Sequence, residues 1–254
     1  MLRTVRGYLA YGAGLFFVLV LMIAGAIYWW PSFAENVSKL KVFAAPMPML
    51  GDMLNQIERG GVAAYVVGQH FFKAGNTVGV GAAILFAAGA IAGEAHRGTL
   101  EVWLARPVSR ARLLSERFFG GLALTTLPVF FTSALVPWML GWVDESMGYG
   151  DLMRCSAHCA ALLGAIYGVT FLWSAASSEP MRIIFVTLMF CVFQFAMYMV
   201  KTATDWSLFR TADIEVYMEV VLKDRLDWRY VGPMVAVIVA SYLGALRAFA
   251  RRVP

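Results

Sequence analysis

"GYLAYGAGLFFVLVLMIAGAIYWW", Gly7–Trp30, runs for 24 residues without a charge. As a helix rising 1.5 Å per residue it spans about 36 Å, more than the roughly 30 Å hydrocarbon core of a bilayer. A cleaved leader is the rival reading, because Met1–Arg6 is basic and Ala24-Gly25-Ala26 resembles a cleavage site. The apolar run of such a leader is only about 7–15 residues long. Gly7–Trp30 therefore reads as a retained anchor, closed by Trp29-Trp30 at the interface and by Pro31.

Five more runs of this kind follow, at 76–92, 118–143, 152–176, 183–200 and 230–249. The second is entered by a helix that starts near Val62, and Pro128 and Pro137 are expected to kink the third. The chain is 60% apolar and only 15% charged, outside the range of soluble domains. The fold class is an all-α integral membrane protein with six transmembrane helices. No Gly/Ser linker, Pro-rich tract or repeat interrupts residues 1–254, so one transmembrane domain is expected. Cys155, Cys159 and Cys191 are odd in number and lie in apolar runs, which argues against a disulfide framework.

Six spans put both termini on one side. That side carries 11 Lys/Arg against four acids, and the other ten against twelve over nearly twice the length. Arginine density places both termini in the cytoplasm, and it explains the net charge of +5 without a nucleic-acid partner. Two longer segments, 31–75 and 201–229, fall outside. The first holds an amphipathic stretch, Met47–Ile57, suited to the interface plane or to capping the outer mouth. The second carries Trp206, Tyr217 and Trp228 and suits another interfacial helix or a lid. Mere connection is the bland alternative for each.

Between the second and third spans lies the densest charge cluster, "GEAHRGTLEVWLARPVSRARLLSERF", Gly93–Phe118, with five arginines, three glutamates and a histidine. Gly98-Thr99 reads as the start of a short helix, with Thr99 as cap and Glu101 in the first turn, where the dipole favours a negative charge. Leu100, Trp103 and Leu104 then share one face. Arg106 precedes a proline and leaves helical geometry, and Ser109 caps a second helix entering the third span. Lipid-headgroup anchoring is enough to explain Arg112 and Arg117. It does not explain the Trp/Leu face of a capped elbow, which suits docking against a partner.

The segment Ala92–Leu114, "AGEAHRGTLEVWLARPVSRARLL", resembles the loop after the second span in type 2 permeases of ATP-binding-cassette transporters. The resemblance rests on Gly93-Glu94, Arg97-Gly98-Thr99-Leu100-Glu101, Leu104 and Pro107-Val108-Ser109-Arg110. The end, "ALRAFARRVP", is similar to that family's alanine-rich last span with terminal Phe and basic residues. The resemblance implies a coupling-helix loop at 93–117, with Glu94, Arg97, Gly98, Thr99, Glu101, Arg106, Pro107, Ser109 and Arg110 as coupling positions. Ser177–Arg182 would be a minor second contact. It also implies an exporter subunit paired with a second permease, identical or not, and with two nucleotide-binding ATPase subunits. The setting would be the plasma or inner membrane of a prokaryotic cell, among membrane lipids. No Gly-x-x-x-x-Gly-Lys-Ser/Thr loop is present, so ATP and Mg are expected on the partner and no cofactor on this chain.

Other constellations compete. Cys155, His158 and Cys159 share one helix face and suit copper or zinc, while small cysteines equally suit packing. Gly75-x-x-x-Gly79, Gly89-x-x-x-Gly93 and Gly164-x-x-x-Gly168 permit close helix approach, within or between subunits. Tyr8 and Tyr11 read as interfacial anchors. Within the spans only His158 is expected as an ionisable group besides Cys and Tyr, which disfavours an ion-coupled carrier and an aspartyl or serine hydrolase. Phe185, Phe190, Phe193 and Met197 either line a path for an amphiphilic, lipid-like or drug-like substrate or face lipid. The alternatives are a metal-handling protein or membrane enzyme centred on Cys155, His158 and Cys159, and a membrane anchor for a soluble partner.

Overall fold

The computed structural model describes residues 2–44, 48–105 and 107–252. Met47, Arg106 and the side chains of Arg3, Arg6 and Tyr8 lie outside the described residues. Among those described there are helices and turns and no strand. The helices are α1 (Leu2–Tyr28), α2 (Trp30–Ala44), α3 (Pro48–Val66), α4 (Val80–Ala90), α5 (Ala92–His96), α6 (Leu100–Leu104), α7 (Arg110–Leu140), α8 (Tyr149–Ala176), α9 (Pro180–Met199), α10 (Ile214–Leu222) and α11 (Trp228–Ala250). A π-helical segment, Val67–Gly79, joins α3 to α4. Six helical stretches are long and apolar enough to cross a membrane: Leu9–Tyr28, Met49–Ala90, Arg110–Val143, Tyr149–Ala176, Pro180–Met199 and Trp228–Ala250.

The central helix is α8, which packs against α4, α7 and α11. Its small residues let these neighbours come close. A Cβ on Gly164 would lie 2.7 Å from Ile238 Cδ1, and one on Gly168 would lie 3.5 Å from Ile238 Cα, both on α11. On another side, a Cβ on Gly75 would meet Cys159 Sγ at 2.8 Å and one on Gly79 would meet Leu163 at 3.1 Å. Two of the three Gly-x-x-x-Gly pairs thus serve packing within the chain; Gly89 has nothing near it. Toward α7, Phe118 stacks edge-on against Phe171 and Tyr167, with ring centres 5.1 and 5.6 Å apart.

The second span departs most from expectation. The helical stretch that contains it extends from Met49 to Ala90, well upstream of Asn76 and of the entry helix expected from near Val62. Gly61, at φ +59°, breaks α3 where only glycine adopts the angle without strain. Thirteen residues then follow in π geometry, whereas most π segments are single turns and many of those mark functional sites. In the amphipathic stretch Leu54 and Ile57 are buried, packed within the helix that leads to the break at Gly61. The third span also starts early, and α7 runs unbroken from Arg110 through Pro128 and Pro137.

At the end of the bundle away from the charged loop, α2 folds back on α3. Trp30, Phe33 and Tyr65 cluster there, with Tyr65 4.9 and 4.8 Å from the other two rings, and Trp30 Nε1 donates to Glu145 at 2.9 Å. Short α10 inserts among the spans. Asp213 caps it by accepting from Ile214 N at 2.6 Å, and Tyr217, expected at the interface, is fully buried against Phe71. Trp206 and Trp228 do stay exposed. Asp227 caps α11, and the Arg229 guanidinium bonded to it holds its carboxyl down to about 2.

Candidate functional site

The charged loop folds as two short helices and an elbow, with an inner face locked to the bundle and an outer face left open. The inner face is built on Glu94, in the first turn of α5 and buried. The left-handed turn at Gly98, φ +69°, brings Thr99 back over it. The Thr99 hydroxyl donates to the Glu94 carboxylate, and to the Glu94 carbonyl at 3.1 Å. Thr99 therefore sits at the N-cap position of α6 without making the expected cap; its hydroxyl is spent on Glu94. Arg97 reaches the same carboxylate at 3.1 Å and Arg117, from α7, at 3.6 Å. Burial pushes the Glu94 carboxyl up, but the Thr99 hydroxyl and the Arg117 and Arg97 charges outweigh it and hold it below its ordinary value. Arg117 also lies 4.8 Å over the Trp103 ring of α6, a cation–π contact. Leu100, Trp103 and Leu104 do share one face, but it packs inward on the bundle and not outward for a partner as expected.

Two further links tie the loop to the spans. Ile91, between α4 and α5, leaves helical geometry, and the Ser174 hydroxyl of α8 fills the gap. It accepts from Ile91 N at 3.2 Å and Ala92 N at 2.9 Å and donates to Ala88 O at 2.9 Å. At the elbow's far side Ser109 caps α7 as expected, accepting from Arg112 N at 3.2 Å. Arg110, the first residue of α7, donates to Ala250 O at 3.3 Å and Arg252 O at 2.7 Å. Arg252 in turn donates to Ala175 O at 3.2 Å and Ser177 O at 3.0 Å, at the C-terminal end of α8. The chain's end thus sits on the same side as the loop and braces the Ser177–Arg182 segment, whose Arg182 is exposed.

The nine expected positions divide accordingly. Glu94 and Arg110 face inward as fasteners. Arg97, Gly98, Thr99, Glu101, Pro107 and Ser109 are exposed, although Arg97 and Thr99 also touch Glu94. Arg106 lies outside the described residues. Val102 and Val108, 64% and 42% exposed, add apolar surface to the open face.

Cys155, His158 and Cys159 are all fully buried, and each lies against Tyr217. Cys155 Sγ is 3.9 Å from Tyr217 O, His158 Nε2 donates to Thr211 O at 2.7 Å, and Cys159 packs beside Gly75. Among the described residues no group of three or more His, Cys, Asp or Glu is arranged to hold a metal. Of the residues expected to line a path, Phe190 borders a groove between α8, α9 and α11, while Phe185 and Phe193 sit on the outer surface of α9.

Sequence reading placed only His158 inside the spans; the structure adds His70. It is 2% exposed on the π segment, with Nε2 3.0 Å from Ser133 Oγ of α7. The Ser156 hydroxyl of α8 continues the chain, 2.7 Å from Ser133 Oγ and 2.8 Å from Leu152 O. Asn76 is buried nearby in sequence and reaches Ala212 O at 3.4 Å. The available signal was Gln69, His70, Lys73 and Asn76, four polar residues spaced on one helix face within an otherwise apolar run.

A multi-pass bundle with a structured charged loop after its second span is the arrangement of a membrane permease, and comparison with known proteins bears on it directly. The family model for ABC-2 family transporter proteins matches residues 13–207. The chain belongs to the ABC-2 transporter family. No curated protein matches it. As an ABC-2 protein it is a transmembrane permease subunit, a component of transport rather than an enzyme, in a family that works with ATPase subunits. The matched residues take in the π segment, the charged loop and the central helix α8.

Proposed function

We propose that the chain forms half of an ATP-driven exporter, with its termini in the cytoplasm and the loop of α5, α6 and the elbow as the docking face for a nucleotide-binding subunit. One observation carries this reading: the loop is anchored inward by Glu94, Arg117 and Ser174 and presents Glu101, Val102, Pro107, Val108 and Ser109 outward. A push on that face reaches α4 through Ala92 and Ile91, α7 through Arg117 and α8 through Ser174. Two permease subunits and two ATPases make the full machine, and ATP and Mg bind the ATPases. The cargo is amphiphilic, lipid-like or drug-like, because no buried carboxylate or lysine in the described spans lines a polar route.

The test is co-expression with an ATPase subunit, followed by purification and ATPase assay in lipid. Glu101→Arg and Val102→Asp are expected to cut recovery of the ATPase about tenfold or more, since a charge mismatch at a docking face costs more than 1.4 kcal/mol. Both should leave the melting temperature unchanged. Arg110→Glu should lower stability as well, because it releases the chain's end. Full recovery and full activity with both outward substitutions would sink the reading.

A further inference from the structure

A groove of about 660 Å³ runs between α1 and α7, starting at the charged loop. Leu9, Ala13 and Phe16 form one wall and Gly120, Leu127 and Phe131 the other. Polar groups occur only at its loop end, where Glu116, Arg117 and Trp103 close it. From Arg117 to Phe131 α7 rises about 21 Å, so the apolar wall passes the middle of a hydrocarbon layer about 30 Å thick. Leu9, Leu127 and Phe131 are each 46–59% exposed, so the groove opens sideways, toward hydrocarbon rather than toward water.

We infer that this groove is a site for one acyl chain of an anionic phospholipid, resident in the leaflet on the loop side. The argument is shape with charge. An aromatic ring and basic groups stand where a headgroup would sit, as at membrane interfaces generally. Among the described residues, the charged groups at or paired to that rim are Arg97, Arg112 and Arg117 against Glu94 and Glu116. One positive charge remains over, and each Lys or Arg near an anionic surface favours it by about 1 kcal/mol. A second copy of the chain is the poorer occupant, because in a two-fold pairing this basic rim would meet itself. The site is also wired to the loop, since Trp103 belongs to α6 and Arg117 to the Glu94 network. Lipid occupancy would thereby brace the inner face of the loop. The inference does not rest on the exporter reading.

The experiment is native mass spectrometry of the full-length chain, delipidated in mild detergent and titrated with phosphatidylglycerol or phosphatidylcholine. One phosphatidylglycerol per chain is expected, in clear preference to phosphatidylcholine. Gly120 has open space around it, so Gly120→Phe fills the groove and should lower occupancy about tenfold or more. Gly14→Phe, on α1 but outside the groove and equally unhindered, should retain the lipid. Arg112→Gln combined with Arg117→Gln should erase the preference while leaving chain binding. Equal binding of the two lipids by wild type, or undiminished binding by Gly120→Phe, overturns the proposal. So does a Gly120→Phe chain that loses self-association instead of lipid, which would make the groove a subunit interface. Release of the lipid on adding ATP to the complete complex would make it cargo and not a resident. If no ATPase co-purifies at all, the exporter reading fails while the lipid measurement still stands.

Discussion

The loop end of the bundle and its opposite half solve the problem of buried polarity differently. At the loop end the buried groups are charged and paired: Glu94 meets Arg97, Arg117 and Thr99, and Arg110 and Arg252 bond to named carbonyls. In the opposite half Asp213 is likewise buried and paired, with Arg210, Tyr198 and Ile214 N, but the buried groups on and around the π segment are neutral and half satisfied. His70 Nδ1, Asn76 Oδ1, Thr132 Oγ1 and His158 Nδ1 have no hydrogen-bond partner among the described residues. A fully satisfied network fixes one geometry, whereas a partly satisfied one gives up little when its members change partners. The loop end therefore holds one geometry, while the π segment and its neighbours keep polar groups that are free to change partners.

Substitutions can break or sharpen that contrast, read by reaction of a thiol dye with the three buried, free cysteines on unfolding. The largest loss is expected for Gly164→Leu, about 3 kcal/mol, because the added side chain overpacks the α8–α11 contact that both halves share. Glu94→Gln follows at about 2 kcal/mol, the value of hydrogen bonds to a charged group. That loss depends on pH. With its carboxyl held below the ordinary 4.5, Glu94 stabilises fully above that pH, and the contribution fades as pH falls through the lowered value. The gap between wild type and Glu94→Gln should close on acidification; a gap that widened would contradict the assigned network. Ser174→Ala should cost about 1–2 kcal/mol by leaving the Ile91 and Ala92 amides unpaired, and in the assembled transporter it should weaken coupling more than stability. Ser133→Ala, in the neutral half, should cost only about 0.6 kcal/mol, the average for a hydrogen bond between membrane helices. A loss there as large as that of Glu94→Gln would erase the distinction between the two regions.

Much of the molecule was legible in the residues. Runs of apolar side chains longer than a bilayer is thick fix six crossings, because an unpaired backbone cannot sit in hydrocarbon. Ser109 before a helical run predicts its cap, and Leu100, Trp103 and Leu104 predict a shared apolar face of α6, though not that it turns inward. The elbow was readable because capping and proline effects act within a few residues. Other features depend on partners far along the chain. Thr99 has the position and chemistry of a cap, yet Gly98 turns its hydroxyl onto Glu94. Tyr217 looks like an interfacial anchor by type, yet α10 carries it into the bundle against Phe71. His70 broke the apolar pattern and was read as lying before a second span that opened at Asn76, yet the π segment buries both in the bundle.

The sequence by itself determined the number of spans, the side that carries the arginines and the family to which the chain belongs, since these follow from hydropathy, charge and local spacing. Only the tertiary structure decided which positions of the loop are fasteners and which are open, that Ser174 bridges the break at Ile91, and that two of the three glycine pairs serve packing around α8. Those outcomes depend on which side chains from distant segments come within hydrogen-bond or van der Waals reach, and short-range spacing does not encode that.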